Sequence, residues 1–186
     1  MIFILLLMGW YRLHCRRRRR WQSPNLLWRI KNGELPGNLN PFVFWLLIGI
    51  NDIGKTWCSP ELVVIGIIRI VEEIRRKKPA ATVVINGLTP MTFDKEGYVA
   101  KGSRLKVSVW EAIQVINDEL KLYANYRDRV EFFETSVFFK DSKAPTSKLQ
   151  IDQGLMPDNL HPSPEGYLLW GEEIVAKLRE LQNDRK

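Results

Sequence analysis

Cysteine is nearly absent from the chain: Cys15 and Cys58 are the only two in 186 residues. They are too few and too isolated for a disulfide framework or a zinc site, and both default to free thiols. Histidine is equally scarce, with only His14 and His161. No stretch of 18 apolar residues runs without a charge, which excludes a polytopic membrane protein. Acidic residues are missing from positions 1–31, where eight basic residues stand (Arg12, Arg16, Arg17, Arg18, Arg19, Arg20, Arg29 and Lys31). That imbalance accounts for the formal charge of +7, because 20 basic residues face 21 acidic ones from Asn32 onward. The body is about neutral, so a polyanion-binding role for the whole domain does not follow from the charge.

The remaining composition, 45% hydrophobic and 26% charged, is that of one globular domain able to bury roughly 70% of its unfolded surface. Residues 1–11 form an apolar run followed by Arg12 and then Arg16–Arg20. The run is too short to cross roughly 30 Å of hydrocarbon, and its charge follows the apolar stretch, the reverse of a secretory signal. It reads as a strand or an interfacial anchor, and residues 1–22 as a leader outside the domain. The arginines suit weak, salt-dependent contact with an anionic membrane. No specific nucleic-acid partner is expected, since no recognition motif accompanies them.

From Ser23 the chain alternates helix and strand signals. Ser23-Pro24 reads as a cap and first helical residue, opening a helix to Lys31 that stops at Asn32-Gly33. Residues 42–48 are unbroken apolar sequence between Pro41 and Gly49, the mark of a strand buried on both faces in a parallel sheet. Ser59-Pro60 opens a second helix to about Lys78, and residues 82–88 form a second buried strand. Residues 89–102 read as a loop, 103–126 as a helix with Val107, Val109, Trp110, Ile113, Ile116 and Leu120 on its apolar face, and 130–134 as a short strand. Ser163-Pro164 starts the last helix, to about Leu181. Alternation at this spacing predicts an α/β fold with parallel crossovers, and ligands of such sheets bind beyond the carboxyl ends of the strands. Three loops leave those ends, and chemistry is sought in them.

Gly49-Ile50-Asn51-Asp52 stands at one exit. Gly49 permits a sharp turn and Asn51 carries an amide able to donate to an oxyanion, although the same residues also make ordinary turns. Asp158-Asn159-Leu160-His161 precedes the last helix. An aspartate three residues before a histidine can hold its Nδ1–H and leave Nε2 as a base; the alternatives are an Asx-turn aspartate and a surface histidine.

Gly49-x-Asn51-Asp52 and Asp158-x-x-His161, in this order and 107 residues apart, resemble the third and fifth blocks of the SGNH (GDSL-type) hydrolases. The stretch Asn25-Leu-Leu-Trp-Arg-Ile-Lys-Asn-Gly-Glu-Leu35 is similar to the platelet-activating-factor acetylhydrolase catalytic subunits of that superfamily. The resemblance covers residues 23–182 and implies a flavodoxin-like α/β/α sandwich that hydrolyses a small-molecule or lipid ester with a serine nucleophile. His161 would be base and then acid, Asp158 its orienting partner, and Asn51 an oxyanion donor, with no metal or organic cofactor. A homo- or heterodimer is compatible with it.

The pattern is incomplete. The family's Gly-Asp-Ser, at the end of its first strand, occurs nowhere in the 186 residues, and its second-block glycine aligns with Arg20. Ser23, Ser59 and Ser163 are explained as caps rather than nucleophiles. The expectation is therefore a family domain with its first strand missing or replaced, inactive or impaired as it stands, through a late gene start or true truncation. A non-catalytic scaffold attached through the arginines is the alternative.

Overall fold

The computed structural model describes residues 4–8 (backbone only), 22–54, 56, 58–101 and 108–184. The arginine run, His14, Cys15, Trp57 and Val107 lie outside the described residues, and with them any account of the leader's membrane contact.

Two compact units are present: residues 1–88 with 112–134, and residues 89–111 with 135–186. The first holds a four-stranded parallel sheet in the order β1-β2-β3-β4. Its strands are β1 (Ile4–Met8), β2 (Val43–Leu47), β3 (Thr82–Asn86) and β4 (Val130–Phe133). β2 and β3 are buried at every position, as their unbroken apolar runs require. The indole of Trp45 in β2 brings one donor into this interior, and Asn86 of β3 accepts from its Nε1 at 2.9 Å. The edge of the Phe133 ring adds a T-shaped contact at 4.9 Å.

The reading of 1–22 as a leader outside the domain is corrected for Ile4–Met8. These residues pair with β2 in register, Ile4 beside Val43 through Met8 beside Leu47. The physical reason is that the free edge of β2 offers a row of N–H and C=O groups that a short strand can satisfy. Between strand and anchor, the two readings of the apolar run, the structure has a strand.

Helix α1 (Ser23–Arg29) follows, continued by a wider π-type turn over Ile30–Glu34. It ends where predicted, at Asn32 and at Gly33, whose φ is 105°. The cap differs from the expected one. Gln22 is the N-cap and its side chain makes no cap bond, donating instead to Thr56 Oγ1 at 2.9 Å, while Ser23 is the first helical residue. The backbone donor at the helix start is met from elsewhere in the chain: Ser23 N donates to both carboxylate oxygens of Asp52, at 3.1 and 3.2 Å.

Asp52 belongs to α2 (Ile50–Gly54), which Gly49 starts by accepting from Asp52 N and Ile53 N. Next is α3 (Pro60–Lys77), which buries Val63, Val64, Ile67, Ile70, Val71 and Ile74 at helical spacing. Beyond its end, Lys78 donates to the carbonyls of Pro36 and Gly37 at 2.8 and 2.9 Å, which fastens the loop before β2. Helix α4 (Val109–Asn125) contributes Ile113, Ile116 and Leu120 to burial, and its Asn117 amide both accepts from Leu88 N and donates to Leu88 O.

Among its described residues the second unit has little regular structure before its long helix α5 (Pro164–Asn183). The irregular stretch contains one 3₁₀ turn, Thr146–Lys148. Two antiparallel bridges, Tyr98 with Gln150 and Phe139 with Ile151, organise it. Phe138, Ile151, Met156 and Trp170 are buried there, with Phe138 and Trp170 edge to face at 5.6 Å. Among the described residues no helix is long and apolar enough to cross a membrane.

Candidate active site

The first unit carries Gly49 and Asn51. Gly49 follows β2 with φ 122°, and a Cβ there would lie 3.1 Å from Ile67 Cδ1, 3.1 Å from Val63 Cγ1 and 3.2 Å from Leu88 Cδ2. Both conformation and space therefore require glycine. Asn51, half-buried, occupies the first turn of α2, directly beyond the carboxyl end of β2.

Asp52, next to it, is a clamp that sequence reasoning missed. Besides Ser23 N, it accepts from the Ser23 hydroxyl at 3.4 Å, while its own carbonyl accepts from Thr56 Oγ1 and Cys58 N at 2.8 and 3.0 Å. Ser23 is only 3% exposed and engaged in this clamp, at the helix start but not as the cap it was expected to be. Burial raises the Asp52 carboxyl above the ordinary aspartate range, against the lowering effect of the Ser23 bonds. A folded value above the unfolded one gives stability that is complete below the unfolded range and lost as pH rises through the folded value. Asp52→Asn should therefore be near wild-type stability at pH 7, within about 1 kcal/mol, and remove this pH dependence. Asp52→Ala should cost about 1–3 kcal/mol, because it leaves the Ser23 N–H buried and unpaired. Urea unfolding at pH 4 and 7 measures both, and equal losses for the two variants would refute the clamp.

The second unit carries the Asp158–His161 pair. His161 Nδ1 lies 2.5 Å from Asp158 Oδ2. The other oxygen, Oδ1, accepts from Leu160 N at 3.0 Å and His161 N at 2.6 Å. Asx turn and histidine partner are thus one carboxylate with a separate oxygen for each task. Burial tends to raise the Asp158 carboxyl, but the His161 backbone N–H, ring and charge, with the Leu160 N–H, together hold it below the ordinary range. An ionised carboxylate only accepts, so the proton of the contact sits on Nδ1 and the basic nitrogen of the neutral ring is Nε2. Both side chains are about half exposed, 50% for His161 and 55% for Asp158, so the ring is within reach of a solute. The Asp158 contribution to stability is present above the ordinary aspartate range and lost as pH falls through the lowered folded value.

The loop is set by its neighbours. Asn159 adopts φ 58° and is buried. Ser163 caps α5 by accepting from Gly166 N, donates its hydroxyl to Gly154 O at 2.8 Å, and donates its N–H to Leu155 O at 2.7 Å. Ser163 is therefore a cap, as expected, where Ser23 is not. Gly166, in the first turn of α5, has no room for a Cβ, which would fall 2.3 Å from Leu155 O. Neither Asn159 nor Gly166 was singled out from sequence, although asparagine is the residue after glycine most at ease with positive φ. Asp158 and His161 are brought together; Gly49 and Asn51 form the separate turn of the first unit. Among the described residues no cluster of three or more His, Cys, Asp or Glu is arranged to hold a metal ion.

Comparison with known proteins shows what the chain as a whole is similar to. The chain is 42% identical over 66 residues to platelet-activating factor acetylhydrolase IB subunit alpha2 of Gallus gallus, a match covering 36% of this chain and 27% of that protein. It is 38% identical over 68 residues to subunit alpha1 of Homo sapiens, covering 37% and 28%. The match thus spans little more than a quarter of the length of these relatives. A GDSL-like lipase of Bacteroides thetaiotaomicron shares the fold at TM-score 0.64 and 19% identity, over 86% of this chain and 71% of that one. A carbohydrate acetylesterase of Sinorhizobium meliloti does so at TM-score 0.56 and 18% identity, over 90% and 71%. These likenesses agree with the predicted α/β sandwich built on a parallel sheet. The model of the GDSL-like Lipase/Acylhydrolase family matches residues 12–169, and the chain belongs to that family.

Proposed function

We propose that this domain carries the proton-transfer and oxyanion groups of a carboxylic-ester or acetyl-ester hydrolase and works only with a serine nucleophile that its 186 residues do not present in a Gly-Asp-Ser block. The observation that carries the reading is the Asp158–His161 pair, with Nδ1 on the carboxylate and the ring half exposed. In the reaction, His161 Nε2 takes the proton of a serine hydroxyl as it attacks the ester carbonyl and returns it to the leaving alkoxide. Asp158 holds the tautomer and stabilises the imidazolium. Asn51 donates to the carbonyl oxygen as it becomes anionic. A second cycle, with water in place of serine, releases the acid. Short acyl groups are the proposed substrates, by likeness to the acetylhydrolases and acetylesterases among the relatives.

Of the described serines, Ser23, Ser59 and Ser163 fit their places at helix starts. The chain as it stands should then leave a fluorophosphonate probe unreacted, with its intact mass unchanged after incubation. A stoichiometric adduct on any serine would contradict this part of the proposal.

A further inference from the structure

We infer that Asn159 is a positioning residue that fixes the geometry of the Asp158–His161 pair by tying their loop to the segment 92–97; this rests on the functional reading of that pair given above. Asn159 lies between the two residues and bonds through every polar group it has. Its side-chain Nδ2 donates to Asp94 O at 2.9 Å and its Oδ1 accepts from Gln153 Nε2 at 3.2 Å. Its backbone N–H donates to Met156 O at 3.0 Å, and its carbonyl accepts from Thr92 N at 3.4 Å. Gln153 is itself anchored, donating to Lys95 O at 2.7 Å.

Space has been made for this amide. Gly97 has φ 84°, and a Cβ on it would stand 3.1 Å from Asn159 Oδ1. The backbone of Asn159, with φ 58°, is one that glycine would adopt at lower cost. Asparagine brings to that position an amide whose donor and acceptor are both used.

The consequence reaches the pair through geometry. Asp158 Oδ1 must meet two successive N–H groups while Oδ2 meets the ring, and this holds only for one course of the intervening backbone. With Asn159 buried and bonded to Thr92 and Asp94, that course is set by the rest of the unit. His161 and Asp158, both half exposed, could not set it from solvent-facing contacts alone. Asn159 touches no reacting atom in this scheme and acts through its neighbours.

The test uses the unaltered chain and a signal that stability alone does not move. An imidazole Nδ1 proton held by a carboxylate gives a far-downfield proton NMR resonance. His161→Gln assigns it, since His14 is the only other histidine. In Asn159→Gly, which keeps positive φ accessible, that proton should exchange with water about ten-fold faster, the scale of one lost hydrogen bond. Gln153→Ala should move it in the same direction by less. If Asn159→Gly does not fold, Gln153→Ala decides. An unchanged resonance and exchange rate in the folded variants would overturn the positioning role even if their melting temperatures fall. Absence of the resonance from the unaltered chain would overturn the Asp158–His161 pair itself, and this inference with it.

Discussion

Exchanging residues 1–22 for the Gly-Asp-Ser-bearing first block of a GDSL-family enzyme should raise p-nitrophenyl acetate turnover by this chain on the order of 10⁶-fold, the cost of lacking a triad nucleophile. On the proposed reading the rest of the chemistry falls to Asp158, on Nδ1 of His161, and to Asn51, in the turn beyond β2. The exchange substitutes a strand for a strand, since Ile4–Met8 already pairs with β2. In the exchanged chain, His161→Ala should remove about 10⁴–10⁶ of the gain. Asn51→Ala should remove about 10²–10³, mostly from kcat, as expected for a donor whose bond strengthens only when the oxyanion forms. Because serine and histidine act as a unit, losing both should cost little more than losing either. Steady-state kinetics on the unaltered chain, its His161→Ala variant, the exchanged chain and the two variants of the exchanged chain, each checked for folding by circular dichroism, gives the comparison. Turnover that survives His161→Ala would remove His161 from the mechanism.

One added carbon should have opposite effects at two places in the same helix. Gly166→Ala puts a Cβ 2.3 Å from Leu155 O and 3.2 Å from Leu155 C, backbone atoms that cannot rotate away. Gly171→Ala, five residues on, meets nothing within 4 Å. The first should lose about 3 kcal/mol through overpacking, which for a chain of this size lowers Tm by about 10 °C. The second should gain about 0.5–1 kcal/mol from helix propensity. The damage at Gly166 does not stay in the helix. Leu155 O accepts from Ser163 N, and the segment these two residues close contains Asp158 and His161. Thermal unfolding followed by circular dichroism distinguishes the two substitutions, and a common sign would refute this account of how α5 meets the loop.

Much of this fold was legible because its signals are periodic or covalently local. The apolar runs became β2 and β3 buried throughout, and the 3.6-residue spacing of Val63, Ile67, Ile70 and Ile74 became the inner face of α3. Ser163-Pro164 capped α5 as predicted, because the cap needs only its own residue and the N–H three positions on. Ser23-Pro24 looks the same in sequence and behaves differently. Its helix start is capped by Asp52, 29 residues away, and no local pattern announces a partner at that distance.

The site shows the same division. Asp158 and His161 were legible as a pair because three residues separate them and the aspartate can turn the backbone by itself. Asn159, Gly97 and Gly166 were not, because their importance comes from what packs on them: an amide against a loop 62–65 residues earlier, and a carbonyl where a methyl would be. The strand Ile4–Met8 was ambiguous for a related reason. An apolar run becomes a strand or an anchor according to whether a sheet edge is open to receive it, and here β2 is that edge.

In the proposed mechanism His161, oriented by Asp158, is the base for a serine attacking an ester. Rapid mixing of the exchanged chain with p-nitrophenyl acetate tests it most directly, by counting the p-nitrophenol released before steady state. The expected result is a burst approaching one equivalent per chain, from an acyl-serine intermediate, and its disappearance in His161→Ala. A full burst at an undiminished rate in His161→Ala would contradict it.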